Sequence, residues 1–130
     1  MSVRLDHLIL PVSDLRESLA FYEDVLGFEQ DGMHGPFHVI RVSELFVILL
    51  TQFETRGGMH LAFSFSKPEF EQALARIQLQ GLPFGDRFDN TSNKAAPAPQ
   101  PGATGDEPGI YFNDPSMHLI EIRQSGVADS

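Results

Sequence analysis

The chain repeats itself. Asp6-His7-Leu8-Ile9-Leu10-Pro11-Val12 is an apolar run with a histidine near its start, and the helical pattern that follows ends at Leu26-Gly27-Phe28. Met59-His60-Leu61-Ala62-Phe63-Ser64-Phe65 has the same layout, and its helical pattern ends at Gln80-Gly81-Leu82. Aligning His7 with His60 brings Gly27 within one position of Gly81. An internal repeat constrains architecture before any single residue does, because each copy must build the same supersecondary unit. A histidine at the same point of both copies suggests two imidazoles kept for a shared purpose.

Each copy reads β-α-β-β-β. In the first, residues 3–12 form a largely apolar strand, and Ser13 is placed to cap a helix over about 14–25, with Asp14 near its positive end. Leu15, Leu19, Tyr22 and Leu26 make one stripe at helical spacing. Gly27 ends the helix. Strands follow near Phe28–Met33, at Phe37–Val42 and at Leu45–Thr51, the last two joined at Ser43-Glu44. In the second copy a strand spans 59–65. Ser66-Lys67-Pro68-Glu69 is a capping box with proline in the first turn, so a helix runs to about Gln80 with a stripe of Phe70, Leu74 and Ile77. Strands are expected at Pro83–Phe88, Gly109–Phe112 and His118–Arg123, with a turn at Asn113-Asp114-Pro115-Ser116. His118 is expected at the surface beside that turn. The fold class is α+β, one domain over 1–130, with module 1 at about 1–53 and module 2 at about 57–124. Residues 90–108 are rich in Pro, Ala, Gly, Asn and Thr. They read as a flexible loop, either a disordered insertion or a lid over a ligand, and residues 125–130 read as a frayed tail.

Composition removes several functions. The net charge is −9 and the pI about 4.8, which argues against nucleic acid and against anionic membranes. No apolar run approaches the roughly 20 residues of a bilayer span, and Arg4 and Asp6 interrupt any signal-peptide pattern. A cytoplasmic protein is the default. The chain has no cysteine, so thiolate chemistry and cysteine metal sites are excluded. Histidine and carboxylate remain as metal ligands.

The candidate centre is His7, His60 and Glu121. Two imidazoles and one carboxylate bind a divalent first-row ion and leave positions open for water or substrate. Their spacing is long, so the fold must bring them together. Glu121 stands between Ile120 and Ile122. Alternation sends Leu119, Glu121 and Arg123 to one face of a strand. On a solvated edge, Glu121 and Arg123 make an ordinary ion pair. Facing a sheet interior, the carboxylate needs a partner such as a metal.

Several stretches resemble the vicinal-oxygen-chelate superfamily of glyoxalases, extradiol dioxygenases, fosfomycin-resistance enzymes and bleomycin-binding proteins. They are Asp6 through Leu15, Phe21-Tyr22-Glu23-Asp24-Val25-Leu26-Gly27-Phe28, His60-Leu61-Ala62-Phe63, and Tyr111 through Glu121. The resemblance covers nearly the whole chain except residues 90–108 and the tail. It implies two βαβββ modules forming an open, curved, mixed-sheet barrel around one divalent ion: Fe, Mn, Zn, Ni or Co. It implies ligands from the first strand of each module and the last strand of the second, which are again His7, His60 and Glu121, with Glu121 also as the catalytic carboxylate. Glyoxalase-like members add a ligand from the last strand of the first module. Ile48 stands there, beside Leu49 and Leu50, which favours a three-ligand site. Met117 occupies a turn position where the family often has glycine. Methionine resists positive φ, so a different turn shape is expected. The resemblance also implies a homodimer.

The implied function is a metal-dependent enzyme acting on a small substrate chelated through neighbouring oxygens, by lyase, isomerase or dioxygenase chemistry. For epoxide opening on a phosphonate, polar and basic residues are expected near the first ligand, where Ile9 and Leu10 stand. The alternative is a metal-free small-molecule or antibiotic-binding protein of the bleomycin-resistance type, which the acidic charge and 11 phenylalanines suit. Candidate substrate contacts are His38, Arg41, Phe46, Phe63, Tyr111 and Arg123.

Overall fold

The structure, a computed structural model, describes residues 2–95, 98–100 and 107–125. The chain forms two compact units, Met1–Arg56 and Gly57–Ser130. In chain order the elements are β1 (His7–Val12), α1 (Leu15–Asp24), β2 (Glu29–His34), β3 (Phe37–Ser43) and β4 (Phe46–Gln52) in unit 1. Unit 2 holds β5 (His60–Phe65), α2 (Lys67–Leu79), β6 (Ala98–Gln100), β7 (Glu107–Asn113) and β8 (Leu119–Gln124). Each unit is βαβββ, as the repeat predicts. Each has an open four-stranded mixed sheet, ordered β1-β4-β3-β2 and β5-β8-β7-β6. In both, the first strand pairs in parallel with the last, and the other pairings are antiparallel.

Each helix covers one face of its own sheet. In unit 1 the covered face holds Leu8, Leu10 and Val12 of β1 with Ile48 and Leu50 of β4 and Ile40 of β3, and most of these are fully buried. In unit 2, Leu61 and Phe65 lie with Ile120, Ile122, Ile110 and Phe112 against the helix bearing Phe70, Ala73 and Ile77. Alternation then directs His7 and His60 to the uncovered faces.

Several details depart from expectation. Asp14, not Ser13, caps α1, its carboxylate accepting the Glu17 N–H at 2.9 Å; the Ser13 hydroxyl instead donates to the Thr55 carbonyl. The buried residues of α1 are Ser18, Phe21 and Tyr22, with Val25 and Leu26 buried just beyond its end, while Leu15 and Leu19 stay half-buried. The predicted stripe is thus rotated, because two successive large residues, Phe21 and Tyr22, both bury and meet edge-to-face at 5.2 Å. Ser66 caps α2 as expected, accepting from Glu69 N–H at 3.4 Å and donating to its carboxylate at 2.9 Å. Residues 83–88 do not form a strand. Isolated bridges alone occur there, from Gly85 to Tyr111 and from Arg87 to Asn90, and the strand beyond β7 is β6, inside the expected loop. Of that loop, residues 96–97 and 101–106 lie outside the described residues, as do 126–130 of the expected tail.

Candidate metal centre

In unit 2 the uncovered face is polar. Ala62 pairs with Glu121, and Glu121 pairs with Tyr111 across β7, so His60, Glu121, Arg123 and Tyr111 share that face. His60 Nε2 lies 3.1 Å from Glu121 Oε1, and Arg123 Nη1 donates to Glu121 Oε2 at 2.9 Å. The Arg123 Nε end lies 3.6 Å from Glu107 Oε1. The side chains of Glu121 and Arg123 are each 8% exposed, that of His60 50%. The pair is therefore buried, not the ordinary surface pair that a solvated edge would hold. Removing one partner of a buried pair costs about 3–5 kcal/mol, because the other charge is left uncompensated. The hydrogen bond that Arg123 donates to Glu121 raises the Arg123 pKa above its ordinary high value, against the opposing effect of burial. Burial, then the Glu121 charge and hydrogen bond, push the Tyr111 phenol up, with Arg123 opposing.

In unit 1 the uncovered face lines a cavity of about 410 Å³. Its floor is Val39, Val47 and Leu49. Asp6, His7, Asp31, His34 and Arg41 surround it, with Met33. His7 Nδ1 lies 2.9 Å from Asp6 Oδ2. That contact holds the imidazole by one nitrogen and leaves Nε2 for another partner, the arrangement common to metal-ligating histidines. It also lowers the Asp6 pKa, through the hydrogen bond first. Arg41 is committed: its Nε donates to Asp31 at 2.8 Å and its Nη1 to the Ser43 and Glu44 carbonyls at 3.2 and 3.0 Å.

The duplicated register locates what the two halves keep and lose. Two residues beyond His60, Ala62 faces Glu121; two beyond His7, Ile9 faces Leu49. Leu49, not Ile48, is thus the unit 1 counterpart of Glu121. Ile48 lies on the helix-covered face with no exposure. The outcome for ligand count is the same, since neither residue can ligate.

The other candidate contacts divide by register. Arg41 and Tyr111 are on the uncovered faces. His38, opposite Leu50, and Phe63, opposite Ile122, are on the helix side, and Phe46 pairs with Ser43 at the end of β4. Asp31 and His34 line the cavity without having been expected there. The polar run of β2, exposed along its whole length, hides them, because it shows no alternation to mark a face. His118 is fully buried, not at the surface. Its N–H donates to Asp114 Oδ1 at 2.9 Å, and its Nδ1 accepts from the Met59 N–H at 3.3 Å. Among the described residues, no three His, Asp or Glu side chains cluster as a metal-holding group within one unit.

The donor chemistry fits a divalent ion. An imidazole nitrogen and a carboxylate oxygen are both ligand types that such an ion takes, and His60 Nε2 and Glu121 Oε1 approach to 3.1 Å on one face of the sheet.

Paired βαβββ units with histidines opening the first strand of each define a glyoxalase-like fold. The model of the Glyoxalase/Bleomycin resistance protein/Dioxygenase superfamily matches residues 4–122, and the chain belongs to that superfamily. It is 32% identical over 130 residues to Virulence protein STM3117 of Salmonella typhimurium (strain LT2), covering 93% of this chain and 83% of that protein. The crystal structure of that protein matches with a TM-score of 0.75 at 31% identity, over 95% of this chain and 98% of the other. Metallothiol transferase FosB of Lysinibacillus sphaericus is 26% identical over 132 residues, covering 96% of this chain and 84% of that protein. The structure of Oxidase ChaP-H2 matches with a TM-score of 0.81 at 25% identity, over 100% of this chain and 98% of the other.

Proposed function

We propose that this chain is a divalent-metal-dependent enzyme acting on a small, uncharged or weakly acidic substrate through two neighbouring oxygens, with His7, His60 and Glu121 as the metal ligands. The observation that carries this reading is the 3.1 Å approach of His60 Nε2 to a buried Glu121 Oε1. A buried carboxylate is costly unless it is paired, and this one directs its second oxygen at a half-exposed imidazole. Relatives named as a metallothiol transferase and an oxidase support a metal enzyme over a metal-free binder.

When bound, the ion supplies Lewis-acid polarisation of two substrate oxygens. The protein's own groups do the rest. Asp6 orients His7. Arg123 fixes one oxygen of Glu121 by a hydrogen bond. Tyr111, with its raised pKa, keeps its proton at neutral pH and hydrogen-bonds Glu121, which helps to fix that carboxylate. Val39, Val47 and Leu49 offer an apolar wall to the substrate's carbon body and exclude water from it.

The charge of the substrate follows from the two arginines. Arg41 and Arg123 are the cations on the uncovered faces among the described residues, and each is bound to a carboxylate. A phosphonate dianion is normally held by charged donors turned toward it, so a neutral hydroxy-carbonyl compound or a catechol suits these faces better. Isomerase, lyase and dioxygenase chemistry all begin from that chelated state.

Protein purified without chelator is expected to carry a divalent metal, and His60→Ala to lower that content at least about tenfold. Unchanged metal content in the variant overturns the assignment. The metal-loaded protein is expected to bind catechol at least about tenfold more tightly than methylphosphonate; the reverse order overturns the substrate class.

A further inference from the structure

We infer that Arg123 is a positioning residue that confines Glu121 to one ligating oxygen, Oε1, and so keeps an additional coordination position open for a two-oxygen ligand. The inference rests on the metal reading above and deepens it.

The geometry begins with strand spacing. Glu121 and Arg123 are two apart on β8, about 6.8 Å along one face, so the long arginine side chain can fold back on its neighbour. Its Nη1 donates to Oε2 at 2.9 Å, while Oε1 is the oxygen beside His60. The two carboxylate oxygens therefore have separate partners. The guanidinium is also tethered from the next strand, with Nε 3.6 Å from Glu107 Oε1, and the Glu107 side chain is 16% exposed. Glu121 is buried and Glu107 half-buried, so the guanidinium between them has little freedom to swing away.

A charge-assisted hydrogen bond in a dry setting is stronger than one in water. An ion that drew in both oxygens of Glu121 would have to break that bond and leave a buried guanidinium short of a partner. A carboxylate bound through one oxygen takes one position; a chelating carboxylate takes two. By occupying Oε2, Arg123 reserves the difference for substrate. Unit 1 has no such device, since Thr51 stands opposite Pro11 where Arg123 stands opposite Ser64.

The test uses the full chain loaded with cobalt(II), whose visible absorption weakens as coordination number rises. Arg123→Met is made together with Glu107→Gln, so that Glu107 is not left as a charge without its cationic partner. This double variant is expected to show weaker visible bands than the wild type and about tenfold weaker catechol binding, the size typical of lost outer-sphere support. Arg123→Lys, which keeps a charged donor, is expected to restore most of both. Bands and catechol affinity identical to wild type in the double variant overturn the inference. X-ray absorption of the wild-type cobalt protein reads the same question without any variant: one carboxylate oxygen bound supports it, and a chelating carboxylate overturns it even if the double variant fails to fold. A wild type that takes up no cobalt overturns the metal reading itself, a result distinct from either of these.

Discussion

Tyr111 shows how one residue reports on its surroundings. It pairs with Glu121 across β7 and β8 and lies 6.2 Å, centroid to centroid, from the His60 ring. Burial and the adjacent carboxylate both disfavour phenolate, so its pKa is raised. The unfolded chain loses this proton near pH 10, whereas the folded chain holds it to higher pH. The stability linked to Tyr111 is complete below the unfolded value. It is lost as pH rises from there toward the folded value, because the unfolded state then binds fewer protons. In metal-free protein, the stability gap between wild type and Tyr111→Phe is expected to shrink between about pH 9 and about pH 11, measured by urea unfolding at each pH. An equal gap at both would mean the phenol is not so held. The presence of Tyr111 near the site is legible from its position on a strand opposite Glu121. Its coupling to Glu121 is not, because that depends on how far β7 is buried.

At the scale of the element, the β7–β8 turn sets the position of Glu121. Asp114 Oδ1 accepts from the N–H groups of Ser116 and His118, each at 2.9 Å. His118 in turn ties the Met59 N–H, one residue before His60, so the turn links the start of β5 to the start of β8. Met117 takes φ 68 in this turn, a left-handed conformation that methionine resists. Hydrogen bonds from the Ser116, Met117 and His118 N–H groups to Asp114, and from the Met59 N–H to His118, offset a side-chain penalty of about 1–2 kcal/mol. Gly57 completes the turn. Its N–H donates to the Ser116 carbonyl at 2.6 Å, and a Cβ there would lie 2.8 Å from the Met117 oxygen. Met117→Gly is expected to raise stability by up to about 1 kcal/mol, the relief of strain less the entropy glycine adds to the unfolded chain. Thermal unfolding checks this, and a destabilised variant would show that the Met117 side chain contributes more than its backbone costs.

For the whole molecule, the decisive fact is that the proposed ligands are divided: His7 belongs to unit 1, His60 and Glu121 to unit 2. Two chains of a symmetric dimer can supply such a set, or one chain can. Mixing His7→Ala and Glu121→Ala protein by unfolding and refolding together separates the two. If sites are shared between chains, about one quarter of the sites regain all three ligands, and metal content recovers to match. If each chain builds its own site, mixing restores none. The same division explains why the proposed ligand set is suggested by the repeat pattern yet is not completed within either unit.

The order of residues was enough to establish the duplicated βαβββ plan, the strands that carry His7, His60 and Glu121, and the absence of cysteine chemistry. Each depends on local periodicity, on capping or on what side chains are present, and none of these needs knowledge of distant neighbours. Register, faces and partners were another matter. Leu49 rather than Ile48 matching Glu121, β6 inside a supposed loop, a buried His118, and Arg123 held between Glu121 and Glu107 all arise from contacts between segments far apart in the chain. A one-residue shift of register exchanges the faces of a strand at no change in local preference, so only packing across the sheet selects among the possibilities.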